Sequence, residues 1–253
     1  ASIHSANNAV LKIVLTSTNG NALSMQTAVE TAFGAAIPRL GYADDEQAIL
    51  GFFHATNALI KGLCIQSAPL TATSLSEGTC KAICFAANSD ENGGAQCENW
   101  RVSGCWFGVD PVTKQVVYMD DGVTVATPGI AITSYRTRNA SAPDNTTFNF
   151  PGTIGVSAGS ANPRADFNVF ITGAGFEAEG LGYRIAGNFY GVLPDGMTNV
   201  DFSVVNDGLQ SAEDFIEIGR NASNVTIGAD GDGVNDADEG NVFGAWAMPG
   251  NSQ

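Results

Sequence analysis

Apolar residues along this chain come in short runs separated by Gly, Asn, Asp and Pro. Leu11–Leu15, Val116–Met119, Ile130–Thr133 and Phe215–Ile218 are such runs, and Asp201–Val205 is another through Phe202, Val204 and Val205. Runs of this length bounded by turn residues predict strands. Helical spacing of apolar residues is visible mainly from Met25 to Ala36, where one short helix or a lateral loop is expected.

The runs repeat. Trp100-Arg101-Val102-Ser103-Gly104-Cys105-Trp106-Phe107-Gly108-Val109-Asp110-Pro111 matches Tyr183-Arg184-Ile185-Ala186-Gly187-Asn188-Phe189-Tyr190-Gly191-Val192-Leu193-Pro194 position by position. Shorter copies begin at Asn57, Asn168, Asn224 and Asn241. Each has a polar entry, an apolar run and a Gly, which is the frame of a short strand, a sharp bend and usually a second strand. Val102 and Ile185 are expected to point inward. A unit of this kind cannot bury its apolar edge alone, so successive units are expected to stack into one core.

The segment Tyr183 to Ala245 resembles the extracellular parallel β-helix repeats of bacterial surface proteins, in the wider pectate-lyase-like superfamily. The carriers are Arg184 to Gly191, Asn224 to Gly228, and Asp230 to Asp236 leading to Gly240-Asn241-Val242. The resemblance implies an all-β, right-handed parallel β-helix and an extracellular setting. It transfers no activity, because members include both enzymes and adhesive or structural modules. The expected architecture is a single domain over 1–253, a solenoid of roughly eight to ten rungs at ~25 residues each. An irregular insertion about 66–98 is expected to be stapled by disulfide.

Composition narrows the function. The chain has 253 residues, 11 Lys+Arg against 26 Asp+Glu, and a formal net charge of -15. So few cations disfavour binding to nucleic acid or to an anionic membrane surface. No apolar stretch is long enough to span a bilayer. Charged residues are only 15%, so Asn, Ser, Thr and Gly supply the polar surface, as in secreted β-proteins. Cys80, Cys84, Cys97 and Cys105 cluster without a C-x-x-C pair, and His4 and His54 are the only histidines. Disulfides of open connectivity in an oxidising compartment are therefore expected rather than zinc. A start at Ala1 reads as a processed product, and sequons stand at Asn139, Asn145, Asn221 and Asn224.

One segment carries candidate chemistry. With Gly233 at the sixth place of a twelve-residue calcium loop, Asp230, Asp232, the Val234 carbonyl, Asp236 and Glu239 fall on ligand positions. Gly228 stands at position one, where a carboxylate belongs, so the Ca2+ shell would need water. The plainer reading, a polar turn using the left-handed tolerance of Asp and Gly, stands ahead of it.

For catalysis, Glu177 and Glu179 would share a strand face and are the best carboxylate pair, but no nearby His or Lys supports them. The paired-Asp and Gly-His-Gly signatures of the β-helix enzymes are missing, so the reading leans against an enzyme. The aromatics Trp100, Trp106, Phe107, Tyr183, Phe189 and Tyr190 are read as packing rather than sugar-stacking residues, with one of each adjacent pair exposed.

Neither terminus shows a capping helix, so the chain is expected either to be a fragment of a longer repeat protein or to stack end to end with its own copies, the second being preferred. The function expected from these readings is an extracellular structural subunit of a filament or surface layer, self-associating end to end or laterally and calcium-stabilised. The alternative is a carbohydrate-active or glycan-binding module.

Overall fold

The computed structural model describes residues 11–15, 48–53, 57–67, 81–87, 97–118, 122, 125, 130–136, 149–171, 174–178, 181–200, 215–219 and 222–244. These contain β1 (Leu11–Leu15), β2 (Ala48–Phe53), β3 (Leu59–Lys61), β4 (Leu63–Ser67), β5 (Lys81–Ala87), β6 (Trp100–Ser103), β7 (Trp106–Phe107) and β8 (Ile130–Arg136). They continue with β9 (Asn149–Gly155), β10 (Val169–Phe170), β11 (Ala174–Ala178), β12 (Leu181–Ala186), β13 (Phe189–Tyr190), β14 (Ile216–Ile218), β15 (Thr226–Ile227) and β16 (Val242–Phe243). The helical content of the described residues is two short 3-10 turns, Pro163–Asp166 and Asp236–Asp238.

Strands pair in parallel with those three places away in the chain. One sheet runs β1-β4-β7-β10-β13-β16, a second β14-β11-β8-β5-β2, and a third β15-β12-β9-β6-β3. These pairings make a strand-rich fold of three short parallel sheets. The expected right-handed β-helix of regular rungs with a disulfide-stapled insertion is overturned on two counts. Along the first sheet the interval between strand starts varies from 20 residues (Val169 to Phe189) to 63 (Trp106 to Val169), so no ~25-residue repeat exists. The stretch read as an irregular insertion contains β5, a strand paired on both sides, with β2 and β8.

Nor is a disulfide found among the described residues, where Cys64, Cys84, Cys97 and Cys105 are buried thiols. Cys84 lies on β5 opposite Gly51 and Thr133. The Cys97 thiol donates to the Phe52 carbonyl at 3.3 Å, and that of Cys105 to the Ser103 carbonyl at 3.5 Å. The whole of β6 stands between Cys97 and Cys105. Four extended residues span ~10 Å, beyond the ~7 Å Cα separation that a bridge tolerates. Cys80 lies outside the described residues, as do the Met25 to Ala36 segment and the Asp201–Val205 run.

The core is built in columns. Ile65, Phe107, Phe170, Tyr190 and Phe243 share one register position of the first sheet. Their rings stack at centroid separations of 5.1 Å (Phe107–Phe170), 4.9 Å (Phe170–Tyr190) and 5.0 Å (Tyr190–Phe243). Such contacts add roughly 0.5–1.5 kcal/mol per pair beyond area burial. In the third sheet Ile60, Val102, Ile154, Ile185 and Ile227 form the matching column. Val102 and Ile185 point inward and are fully buried.

The aromatics pack rather than line a groove. Trp100 and Tyr183 are buried in the main core, and Trp106 is half-buried. One of Phe189 and Tyr190 is expected on the surface, and both are buried. A second apolar cluster covers that side of the sheet, with Val109, Val125, Phe167, Val169, Val192, Leu193 and Val200 among its members. The repeat therefore feeds two cores, one on each side of β7, β10 and β13.

Candidate metal centre

The loop that holds the candidate ligands follows from how the third sheet passes its chain to the first. After β6 and β12 the connection is short, through Ser103-Gly104-Cys105 and Ala186-Gly187-Asn188. After β9 and β15 it is long, and both long excursions end in a buried acid, Asp166 and Glu239.

Each short corner grips the end of the following long one. Gly104 donates its N–H to the Asp166 carbonyl at 2.9 Å, and Gly187 does the same to the Glu239 carbonyl at 2.9 Å. Both glycines have positive φ, and a Cβ would come within 2.4 Å of the Ala165 oxygen or 2.6 Å of the Asp238 oxygen. Arg101 pairs with Asp166 at 2.8 Å, and Arg184 pairs with Glu239. The Arg and Gly repeated 83 residues apart in the sequence thus anchor two equivalent acids.

Behind these acids runs a buried amide ladder. The Asn168 amide donates to the Asn188 side-chain oxygen at 2.9 Å, and that of Asn188 to the Asn241 oxygen at 3.0 Å. Cys105 occupies the same corner one strand earlier, where its N–H donates to the Asn168 oxygen at 2.9 Å. A ladder of this kind satisfies buried corner groups that would otherwise each cost about 1–3 kcal/mol.

The second long excursion carries the acidic loop. Gly231, Gly233 and Asn235 take positive φ, and the chain winds so that its carboxylates accept its own N–H groups. Asp230 Oδ1 accepts from Asp232 at 3.1 Å, Asp232 Oδ1 from Val234 at 2.7 Å, and Asp236 Oδ2 from Gly233 at 3.2 Å. The Asn235 amide ties the loop to the first excursion through the carbonyls of Ser157 (3.2 Å) and Ser160 (3.3 Å).

One carboxylate oxygen from each of Asp230, Asp232 and Asp236 lies within 4.8 Å of the others. Two oxygens bound at about 2.4 Å to one cation stand at most about 4.8 Å apart, so these three residues could hold a metal ion. Nothing in the cluster selects calcium over another hard cation. Asp230 and Asp232 are exposed and Asp236 is half-buried. The Asp236 Oδ1 atom is itself buried, with no hydrogen-bond partner.

Glu239, another expected ligand, pairs outside the three-Asp cluster. Glu239 is fully buried against Arg184 and accepts from the Asp230 N–H at 3.3 Å. Val234, whose carbonyl was the candidate, gives its N–H to Asp232 within the loop. Arg184, absent from the candidate ligands, also reaches Asp230. The Asp232 N–H, ahead of the Arg184 guanidinium, holds the Asp230 carboxyl below the usual carboxylate range. Burial alone would lower the pKa of Arg184, but Glu239 and Asp230 outweigh it and raise it. The sequence signal for this residue is its match to Arg101 in the repeat.

Of the carboxylate pair considered for catalysis, Glu179 lies outside the described residues. Glu177 sits on β11, and its register neighbour on β14 is Glu217. No helix among the described residues is long and apolar enough to cross a membrane. The chain matches no protein-family model, no curated protein and no solved structure.

Proposed function

We propose that this chain is an extracellular structural subunit that self-assembles, with the Asp230–Asp232–Asp236 loop as a calcium site that stiffens the assembling end. One observation carries the reading. The inward columns are sealed along their length and open at their last members. Tyr190 and Ile185 are fully buried, whereas Phe243 and Ile227, next in the same columns, are 50% and 49% exposed. Ile218, at the end of the second sheet, is 38% exposed. Three parallel edges with an apolar slice between them invite further strands.

Calcium is supported by the all-oxygen donor set and by the buried Asp236 Oδ1 without a hydrogen bond. The loop joins β15 to β16, so an ion there would brace two of the three terminal strands. The extracellular setting now rests on composition, because Cys84, Cys97 and Cys105, which argued for an oxidising compartment, are thiols. Sedimentation velocity over a wide concentration range, with calcium and then chelator, tests the reading. Mass growing with concentration and falling in chelator is expected. A monomer at every concentration in both buffers would discard it.

A carbohydrate-active role has one observation in its favour. The register neighbours Glu177 and Glu217 put two acids on adjacent strands. Polysaccharide cleavage abolished by Glu217→Gln would favour this role, and no cleavage in a broad polysaccharide screen would remove it.

A further inference from the structure

The two ends of the stacked sheets differ in exposure. Ile60 opens the third-sheet column and is 6% exposed, whereas Ile227 closes it at 49%. Beside Ile60, Lys61 is paired with buried Asp166 at 2.6 Å. Leu50 and Phe52, at the start of the second sheet, are half-buried, and Ile218, at its far edge, is exposed. Among the described residues the open apolar slice lies at the β14–β15–β16 edges. We propose that this end docks on the same end of a second copy, across a twofold axis, and closes a dimer. This proposal rests on the self-assembly reading and names the surface and its partner.

A fitting partner must offer three strand edges around an apolar slice of the same outline. A second copy's β14–β15–β16 end does so, and an interface that uses one patch on both copies is complete at two. A twofold axis across the stacking direction reverses the partner's strands, so pairing at the junction is antiparallel, slightly the more stable kind. With the axis through the first sheet, β16 pairs with its own copy and β14 with the partner's β15. Alternation sets inward residues against inward ones. Phe243 then meets Phe243 and extends the ring column of Phe170 and Tyr190, while Ile218 covers the partner's Ile227.

Charge permits this arrangement. The acidic loop sits where the third sheet passes to the first. The axis exchanges the second and third sheets, so each loop lies beside the partner's corner between first and second sheets, away from the other loop. Within its own copy Asp230 is paired with Arg184 and Asp238 with Arg164. Exposed Glu217 alternates with inward Ile216 and Ile218, and the outward residue of the partner's β15 is uncharged Thr226.

Cross-linking tests it. Phe243→Cys places two thiols directly opposite, at the ~4.5–5.5 Å Cα spacing of an antiparallel pair, which a disulfide spans. Val242→Cys places them two residues apart, ~6.6 Å along the strands and ~4.8 Å across, which it does not. On oxidation with diamide, Phe243→Cys is expected to give a dimer linked through position 243, and Val242→Cys none. Sedimentation velocity is expected to show the wild type reaching twice the monomer mass and no more. Ile227→Lys with Phe243→Lys, at exposed positions, should stay monomeric and folded by circular dichroism. If the wild type grows past the dimer, if Phe243→Cys does not cross-link, or if Val242→Cys cross-links equally, the twofold junction is wrong while self-assembly stands. A wild type that is monomeric at every concentration overturns both readings.

Discussion

Trp100 and Gly152 lie opposite each other in register on β6 and β9, and the indole fills the space that a side chain at 152 would need. A Cβ built on Gly152 would lie 2.1 Å from the Trp100 ring. The ring has little room to yield, since it stacks on Phe85 at 4.0 Å and meets Tyr183 at 6.1 Å. Gly152→Ala is therefore expected to destabilise the fold by roughly 1–3 kcal/mol, as overpacked core positions do. Urea unfolding followed by tryptophan fluorescence measures it, and an unchanged midpoint would show that the indole is not confined.

Arg184 and Glu239 form the second prediction. The Glu239 side chain is 0% exposed, so removing its cation leaves a buried carboxylate uncompensated. Arg184→Met is expected to cost about 3–5 kcal/mol. Adding Glu239→Gln should recover part of the loss, because the uncompensated charge is then gone. A double-mutant cycle by chemical denaturation checks this. Additive costs would mean that the pair is not coupled.

Asp166 gives a pH dependence. Burial alone would push its carboxyl up, but Lys61, Ser160 and Arg101 outweigh burial and hold it below its ordinary value of 3.8. A carboxyl depressed in the folded state stabilises fully above the unfolded pKa, and that contribution is lost as pH falls through the folded pKa. The wild type should lose stability as pH drops from about 4 downward. Asp166→Asn should be less stable at neutral pH and should lose less over that acid window. Melting temperatures from pH 7 to pH 2 for both proteins check the sign.

Cys105 supplies a chemical test of the reduced core. Burial, partly opposed by backbone hydrogen bonds, pushes its thiol up to about 12. The thiolate is the reactive form, so Cys105 should resist alkylation at pH 8 until the protein unfolds. Mass spectrometry of peptides labelled before and after urea treatment reads this directly. Dithiothreitol is expected to leave the melting temperature unchanged, and a drop would point to a bridge that the fold does not show.

The sequence by itself determined local matters. The run Leu11–Leu15 is β1 residue for residue, and Ile130–Thr133 and Phe215–Ile218 fall on β8 and β14. The inward direction of Val102 and Ile185 and the clustering of Asp230, Asp232 and Asp236 were likewise legible. A strand's period of two and a turn's demand for Gly, Asn or Asp act over a few neighbouring residues, so a linear pattern carries them.

Only the tertiary structure decided the rest. It placed the two long repeat copies with β9 and β10 between them, so that Trp100 meets Gly152 rather than Tyr183 in register. It buried Phe189 beneath a second cluster, drew Glu239 from the acidic loop to Arg184, and kept Cys97 and Cys105 apart across β6. It also set the uneven intervals that rule out a regular repeat. Each of these depends on which segments lie side by side after connections of unequal length. Such connections leave little mark on the apolar pattern, because only the strands bury it.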